Sequence, residues 1–301
     1  MTEIAAMADA APPQTIPHLG LALGGGGARG LAHVHVLAAL DDLGIRPSAI
    51  VGCSIGALIG AAAAAGLSGA EIEDEILAAL GRPADVWGKI WKLRPRSLAD
   101  IAGGLPLFDP EAVIAEFMPD RIPDDFADLP IPFSAVAADY YGAAEVEIAA
   151  GSLRRAVAAS IALPALFRPV DIGGLTLIDG GVVNPLPFDK LPEDIGLIVA
   201  VDVVGMPVRT QKGRPGVREA LFGSSQILMQ SLISEKLKSR QPDVLIRPPI
   251  HGIAVLDFTK ARDILAATTG VREEVKAAVG RRLDAARVAM PTREDADASA
   301  H

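Results

Sequence analysis

Residues 19–56 read LGLALGGGGARGLAHVHVLAALDDLGIRPSAIVGCSIG. The apolar run 19–23 predicts a strand that enters a glycine loop at 24–30, after which leucine and valine recur at helical spacing. A second apolar run, 49–53, predicts another strand, and a helix of small residues follows it from Ile55. Two successive strand–loop–helix units predict neighbouring parallel strands, because the helix carries the chain back to the edge where the first strand began.

Apolar runs and periodicity extend this pattern along the chain. They predict further strands at 131–138, 146–149, 175–178, 197–203 and 244–246, and further helices at 71–80, 110–117, 152–159, 217–239 and 271–289. We therefore expect one α/β domain over residues 19–289, with a central, mainly parallel sheet. Weak periodicity at 82–130 indicates a variable, lid-like insertion. Disorder is expected in residues 1–18, and a loose tail in residues 290–301.

Composition excludes several classes of protein. Of the 301 residues, 50% are hydrophobic and 22% are charged, which is typical of a chain that buries a large core. The net charge of -9 argues against nucleic-acid binding. The lone Cys53 excludes an intrachain disulfide and a cysteine-built zinc site, and no metal or cofactor is expected.

The sequence also argues against insertion across a membrane. The longest apolar stretch, residues 55–67, is shorter than the roughly 20 apolar residues that a membrane-spanning helix needs. Residues 1–18 lack the basic and apolar regions of a secretory signal. A cytoplasmic protein is expected, and the sequence does not indicate an oligomeric state.

A GxSxG motif lies where a predicted strand gives way to a predicted helix. It comprises Gly52, Ser54 and Gly56. This context is that of a nucleophile elbow, in which a strained turn presents the serine hydroxyl above the sheet. The alternative is a turn of small residues that only lets a helix pack closely. Cys53, directly before the serine, is interpreted as a small buried hydrophobe.

The glycine loop can bind an anion through its backbone N–H groups, and three kinds of anion are candidates. A site for a dinucleotide phosphate would need an acidic residue about 20 positions after the loop, and the sequence has none there. A Walker-type phosphate site would need a loop that ends in Gly-Lys-Ser/Thr, and this loop does not. The third anion is the oxyanion that forms when Ser54 attacks an ester, with Gly25, Gly26 and Gly27 as donors. Arg29 lies at a helix start, where its charge opposes the helix dipole, so it is a candidate contact for an anion.

A serine nucleophile needs a base, and two residues are candidates. His251 would complete the Ser…Asp…His chain order of α/β-hydrolases. Asp179 follows an apolar run and precedes two glycines, a position where catalytic groups of parallel sheets commonly lie. The other histidines are expected to pack or to lie on the surface: His18, His33, His35 and His301.

Three motifs in order resemble the patatin-like phospholipase family, especially its soluble bacterial branch. They are the loop 25–30, the GxSxG motif and Asp179-Gly180-Gly181, supported by Ala159-Ser160 and by residues 182–187. The resemblance covers about residues 19–204. It departs from the family pattern at Gly24, where an acidic residue is frequent, and at Cys53, where threonine is frequent.

The resemblance implies a three-layer α/β/α fold and a serine lipid acyl hydrolase that acts on phospholipids or other acyl esters. It implies a catalytic dyad of Ser54 and Asp179 without histidine, with the oxyanion held by Gly25, Gly26 and Gly27. Alternatives are a short-chain carboxylesterase or thioesterase, a lipid-binding regulator with a vestigial site, and a nucleotide-binding regulator that uses the glycine loop.

The lid-like segment contains the two tryptophans of the chain, Trp87 and Trp91, interleaved with basic residues. Tryptophan and lysine together are typical of interfacial anchors, so one hypothesis is that this pair makes peripheral contact with a membrane. The alternative is that a tryptophan pair at helical spacing packs against the core of the domain.

Overall fold

The computed structural model describes residues 18–82, 107–207 and 213–289, together with Gly88 and Leu93. The described strands are β1 (Leu19–Leu23), β2 (Ala49–Cys53), β3 (Phe133–Asp139), β4 (Ala144–Ile148), β5 (Val170–Ile172), β6 (Leu175–Asp179), β7 (Leu197–Val201) and β8 (Val244–Ile246). The described helices are α1 (His33–Asp42), α2 (Ile55–Ala64), α3 (Gly69–Leu80), α4 (Pro110–Phe117), α5 (Leu153–Ser160), α6 (Val217–Ser239), α7 (Ala261–Thr268) and α8 (Val271–Ala289).

These strands form one mixed sheet in the order β5-β6-β3-β2-β1-β7-β8, and β4 pairs with β3. The central strands β3, β2, β1, β7 and β8 run parallel. The pairs β3–β4, β3–β6 and β5–β6 are antiparallel. The expectation of an α/β domain with a mainly parallel sheet is therefore confirmed.

Side chains alternate across the sheet and build a core on each face. Leu21 and Leu23 of β1 join the larger core, which is shared with side chains of every described helix except α6. Ala22 joins the smaller core on the other face, with Ile233 of α6 and Phe188 from the connection between β6 and β7. The sheet thus lies between two layers, as the three-layer expectation requires.

The strand register sets the position of the site. Leu23 at the end of β1 pairs with Gly52 of β2, so the glycine loop and the GxSxG turn leave the sheet at the same level. Val136 and Ala137 are consecutive residues of β3; the first pairs with Cys53, and the second pairs with Asp179. The ends of β2 and β6 therefore meet beside the middle of β3.

The structure agrees with the sequence predictions for most elements. Helices 110–117, 217–239 and 271–289 have the predicted bounds. The strand predicted at 131–138 begins at Phe133, after Pro132, which has no N–H to donate to a ladder. Residues 1–17 and 290–301 lie outside the described residues, and so do 83–87, 89–92 and 94–106 of the proposed lid.

Two elements were missed. Strand β5 has only three residues, too short for an apolar run to mark it, and it pairs with β6 across Gly173-Gly174. Both glycines have positive φ, and a Gly-Gly pair is a hairpin signal in the sequence. Helix α7 has no side-chain cap at its start, so no capping residue marks it in the sequence. Within the described ranges, no helix has both the length and the hydropathy to cross a bilayer.

Candidate active site

Ser54 lies in a strained turn between β2 and α2. Its backbone has φ 54° and ψ -124°, a region that residues with a side chain rarely adopt. The two flanking glycines permit this turn. A Cβ on Gly52 would lie 2.4 Å from the carbonyl oxygen of Gly56, and a Cβ on Gly56 would lie 2.1 Å from that of Leu23. Both glycines are required because strand and helix approach so closely that no side chain fits.

The hydroxyl of Ser54 donates a hydrogen bond to Asp179, with 2.6 Å between Oγ and Oδ2. The other carboxylate oxygen, Oδ1, accepts from the backbone N–H of Gly181 at 2.7 Å. Asp179 is buried, whereas Ser54 is partly exposed. One face of the carboxylate is therefore held by the protein, and the oxygen facing the serine is placed to take its proton.

Burial raises the pKa of Asp179 from 3.8 to about 6, because the ionised carboxylate has lost its water. The hydrogen bonds from Ser54 and Gly181 lower the pKa and oppose part of this rise. The group is thus a stronger base than an exposed aspartate, yet it remains mostly ionised at pH 7. Both properties suit a general base.

A serine without an assigned role, Ser160, supports the strained turn. It is fully buried at the end of α5. Its Oγ accepts from the backbone N–H of Ser54 at 2.9 Å and donates to the carbonyl of Val136 at 2.6 Å. Two residues later, the carbonyl of Ala162 accepts from the N–H of Asp179 at 3.0 Å. The end of α5 and the residues that follow it therefore anchor the backbone of both Ser54 and Asp179.

Replacing Ser160 with alanine is expected to lower kcat about tenfold or more, and stability by about 1–3 kcal/mol, because a buried N–H and a carbonyl lose their partner. Substrate KM is expected to change less, since Ser160 does not line the cavity that opens beside Ser54. Steady-state kinetics and denaturant titration measure both effects. Ser134→Ala is a matched control, since Ser134 is a buried serine on β3. An equal loss of kcat in both variants would contradict the anchoring role.

The glycine loop lies beside Ser54. A Cβ on Gly25 would lie 3.3 Å from Cβ of Ser54. The N–H of Gly25 donates to the carbonyl of Pro185 at 2.9 Å, so in this structure it is not free to bind an oxyanion. Among the described residues, no hydrogen-bond acceptor is found for the N–H of Gly26 or of Gly27. These two amides are the remaining candidates for the oxyanion hole.

The loop tolerates no side chain at Gly26. A Cβ there would lie 2.2 Å from the carbonyl oxygen of Val203, so Gly26→Ala must displace the loop. We expect hydrolysis to fall about 10²–10³-fold, the usual effect of losing an oxyanion donor. Gly280→Ala is the control, because no described atom lies within 4 Å of its added Cβ and alanine favours a helix. Ester hydrolysis by the two purified variants tests this, and full activity of Gly26→Ala would contradict the assignment.

Arg29 is the largest side chain that is fully buried in the described residues, and it lines the same cavity. Desolvation lowers its pKa to about 10, and the charge of Asp257 raises it, so the guanidinium is charged at pH 7. Within the described part of the chain, its Nε and Nη1 have no hydrogen-bond partner. A buried charge with unused donors fits the candidate role of an anion contact.

His33 and His35 form hydrogen bonds with backbone carbonyls, and His251 does not line the cavity. His33 donates from Nε2 to the carbonyl of Gly24 at 2.9 Å, and burial lowers its pKa to about 4, so it is neutral. His35 bonds through Nε2 with the carbonyl of Leu265. His251 is exposed and is not among the described residues that line the cavity. Of the two candidate bases, only Asp179 contacts Ser54.

Two other expectations concern Cys53 and the tryptophans. Cys53 is fully buried in the smaller core, and burial raises the pKa of its thiol, so it packs as a hydrophobe. Trp87 and Trp91 lie outside the described residues. No group of three or more His, Cys, Asp or Glu side chains that could hold a metal occurs within the described ranges.

A cavity of about 440 Å³ opens from Ser54. Four residues of α2 line it, spaced as one helical face: Ile55, Leu58, Ile59 and Ala62. The cavity therefore follows α2 for about 10 Å, at 1.5 Å per residue. It continues along α3, whose lining residues are apolar except for Glu75, and reaches Phe117 of α4. A mainly apolar channel that begins at Ser54 suits a substrate with a hydrocarbon chain.

Comparison with known proteins agrees with this geometry. A family model described as Patatin-like phospholipase matches residues 21–192. An uncharacterised NTE family protein of Mycobacterium tuberculosis is 34% identical over 200 residues, which cover 63% of this chain and 50% of the relative. Lysophospholipase NTE1 of Saccharomyces cerevisiae is 26% identical over 275 residues, which cover 82% of this chain and 16% of the yeast protein.

The solved structure of VipD from Legionella pneumophila has the same fold. The TM-score is 0.50 at 15% sequence identity, over 88% of this chain and 67% of VipD. This chain spans half the length of the mycobacterial relative. The family match covers more than half of the chain and includes the glycine loop, Ser54 and Asp179. This chain belongs to the patatin-like phospholipase family.

Proposed function

We propose that this protein is a serine lipid acyl hydrolase of the phospholipase A or lysophospholipase type. The observation that carries the proposal is the 2.6 Å contact between Ser54 Oγ and Asp179 Oδ2 at one end of an apolar cavity. The family and the yeast relative named a lysophospholipase support a lipid ester as the substrate.

The reaction has two steps. Ser54 Oγ bonds to the ester carbonyl carbon while its proton passes to Asp179 Oδ2, and the carbonyl oxygen becomes an oxyanion held by the amides of Gly26 and Gly27. The intermediate collapses, the alcohol leaves with the proton, and an acyl ester remains on Ser54. Water then gives a proton to Asp179 and attacks this ester, which releases the fatty acid and returns the proton to Ser54.

Different parts of the cavity suit the acyl chain and the headgroup of a phospholipid. Its wall along α2 is apolar, and its wall along α3 is apolar except for Glu75; this wall is where the hydrocarbon chain would lie. Arg29 lines the cavity close to the glycine loop, so its unused donors are available to a phosphate on the alcohol side of the ester. This arrangement favours a phospholipid or lysophospholipid over an uncharged ester.

A short-chain carboxylesterase or thioesterase is the second candidate, because the same dyad would act on any ester that reaches it. The length of the cavity along α2 favours the longer substrates. A purely regulatory lipid-binding protein would have no use for a serine held in a strained turn against a buried base. Nucleotide binding is disfavoured because the glycine loop faces an apolar cavity.

The test is a series of esters of increasing acyl length, applied to wild-type protein and to Ala62→Val, Ala62→Leu and Ala62→Phe. Ala62 lines the cavity two turns along α2 from Ser54. The wild-type protein should prefer long acyl chains. Filling the cavity should lower kcat/KM for long chains at least about tenfold in the phenylalanine variant, since misplacing even single methylenes costs that much.

Short-chain esters serve as the internal control for these variants. Their hydrolysis should change little, because a short acyl group does not reach Ala62. If wild-type protein shows a constant rate at every chain length, the second candidate replaces the first. If no ester is hydrolysed by folded protein, the hydrolase proposal itself is wrong.

A further inference from the structure

More than half of the large apolar side chains that are exposed in the described residues line the cavity or lie within three residues of one that does. Large apolar residues on a protein surface are usually scattered singly, and a contiguous group marks an interaction site. Six such residues lie close in the chain to residues that line the cavity, and we call them the rim patch: Val182, Met206, Leu221, Ile227, Leu228 and Leu232.

Three separate segments contribute to the rim patch, and each also builds the cavity wall. Val182 follows Asp179 by three residues, and Met206 follows Val204 by two; Asp179 and Val204 both line the cavity. Val182 is 42% exposed and Met206 is 62% exposed. The three segments also approach one another: a Cβ on Gly181 would lie 2.7 Å from Cε of Met229, and a Cβ on Gly223 would lie 3.5 Å from Cβ of Pro207. The rim patch therefore borders the cavity and is not confined to one loop.

Helix α6 supplies the rest of the rim patch. Phe222 and Met229 line the cavity and are half-buried, while their neighbours Leu221 and Leu228 are exposed. Adjacent residues of a helix point about 100° apart. One face of α6 thus forms the cavity wall, and the next face, with Leu228 exposed to 67%, points to solvent.

The charge pattern of α6 indicates the chemistry of the partner. No charged residue occurs from position 220 to position 234, although most of these positions are exposed. Charged residues of both signs flank this stretch, with Arg218 and Glu219 before it and Glu235 and Lys236 after it. The exposed face of this helix is neutral and apolar, so it matches a surface without net charge.

We propose that the rim patch binds the surface of a zwitterionic lipid bilayer. The proposal rests on the proposed function, because a lipid hydrolase must receive its substrate through the cavity entrance. A protein partner or a second copy of the chain on the rim patch would cover that entrance. A lipid surface covers it and supplies the substrate at the same time. Burial of apolar side chains drives such binding.

The experiment measures the partition of full-length protein into phosphatidylcholine vesicles by flotation. The protein carries Ser54→Ala so that the lipid is not consumed. We expect it to bind, and we expect Leu228→Ser combined with Leu232→Ser to lower the partition coefficient about tenfold or more, because two apolar side chains are lost from the interface. Binding should persist at about 1 M salt, where charge attraction is screened.

Leu175→Ser is the matched control, because Leu175 is 39% exposed and Leu232 is 38% exposed. Leu175 lies in the β5–β6 hairpin and is not part of the rim patch, so its replacement should leave the partition coefficient unchanged. Hydrolysis of a soluble short-chain ester by the double variant with Ser54 intact should equal that of wild type, since neither leucine lines the cavity.

Four outcomes would overturn the proposal. They are no vesicle binding, binding that the double variant retains, binding that is lost at high salt, and a dimer that the double variant disperses. Failure of the proposed function gives a different result, since the soluble ester would then not be hydrolysed whatever the protein does on vesicles.

Discussion

Ser54→Ala is expected to abolish labelling by a fluorophosphonate and to lower ester hydrolysis at least about 10³-fold. The reason is chemical: alanine has no hydroxyl to form the acyl ester, and only the binding and oxyanion contributions to catalysis remain. Mass spectrometry of the labelled wild-type protein should locate the adduct on Ser54. Retained hydrolysis in Ser54→Ala would contradict the assignment of the nucleophile.

The same position tests whether the turn is strained. At φ 54° and ψ -124°, alanine keeps the unfavourable backbone, whereas glycine adopts it at little cost. Ser54→Gly should therefore be more stable than Ser54→Ala by about 1 kcal/mol, although both are inactive. Denaturant unfolding of the two variants measures the difference. Equal stability would mean that the turn stores no strain.

Asp179→Asn is expected to lower kcat about 10²–10⁴-fold, the usual contribution of general base catalysis. The amide fits the site, because its oxygen can accept from Gly181 and its nitrogen can donate to Ser54. In the wild-type protein, kcat/KM should fall tenfold per pH unit below about pH 6, as the carboxylate takes up a proton. His251→Ala is the control and should keep the wild-type rate and profile. If His251→Ala abolished this acid limb, histidine would be the base.

The pH dependence of stability should be opposite to that of activity. Activity rises as Asp179 loses its proton, whereas the stability that Asp179 contributes falls. The pKa is 3.8 in the unfolded chain and about 6 in the fold, so between these values the folded state binds more protons. The contribution of Asp179 to stability is therefore largest below about pH 4, and it declines by roughly 3 kcal/mol as the pH rises through 6. Asp179→Asn has no charge to bury, so its stability relative to wild type should increase over this interval. A difference that stays constant with pH would contradict the raised pKa.

Two parts of the chain are candidates for membrane contact, namely the rim patch and the tryptophan pair. The tryptophan hypothesis is based on the basic residues interleaved with Trp87 and Trp91, and both tryptophans lie outside the described residues. The rim patch was not apparent in the sequence, because its six residues come from three segments and their exposure depends on what packs around α6. Vesicle binding by variants of each group separates the two.

The sequence alone was sufficient for the local units. The alternation of apolar strands with helical periodicity predicted β1, α1, β2 and α2, and the glycines at 52 and 56 predicted the sharp turn at Ser54. These features depend on neighbours within a few residues, where backbone sterics and hydrophobic spacing act directly. The pairing of Ser54 with Asp179 was assigned in advance by resemblance to a family rather than by spacing.

Only the tertiary structure decided the rest, because contacts across the sheet depend on strand register. Ser54 and Asp179 are 125 residues apart, and they meet because β2 and β6 pair with consecutive residues of β3. The same packing commits the N–H of Gly25 to Pro185 and brings Ser160 beneath the nucleophile. Sequence determined which residues could react; register and packing determined which of them meet, and in what surroundings.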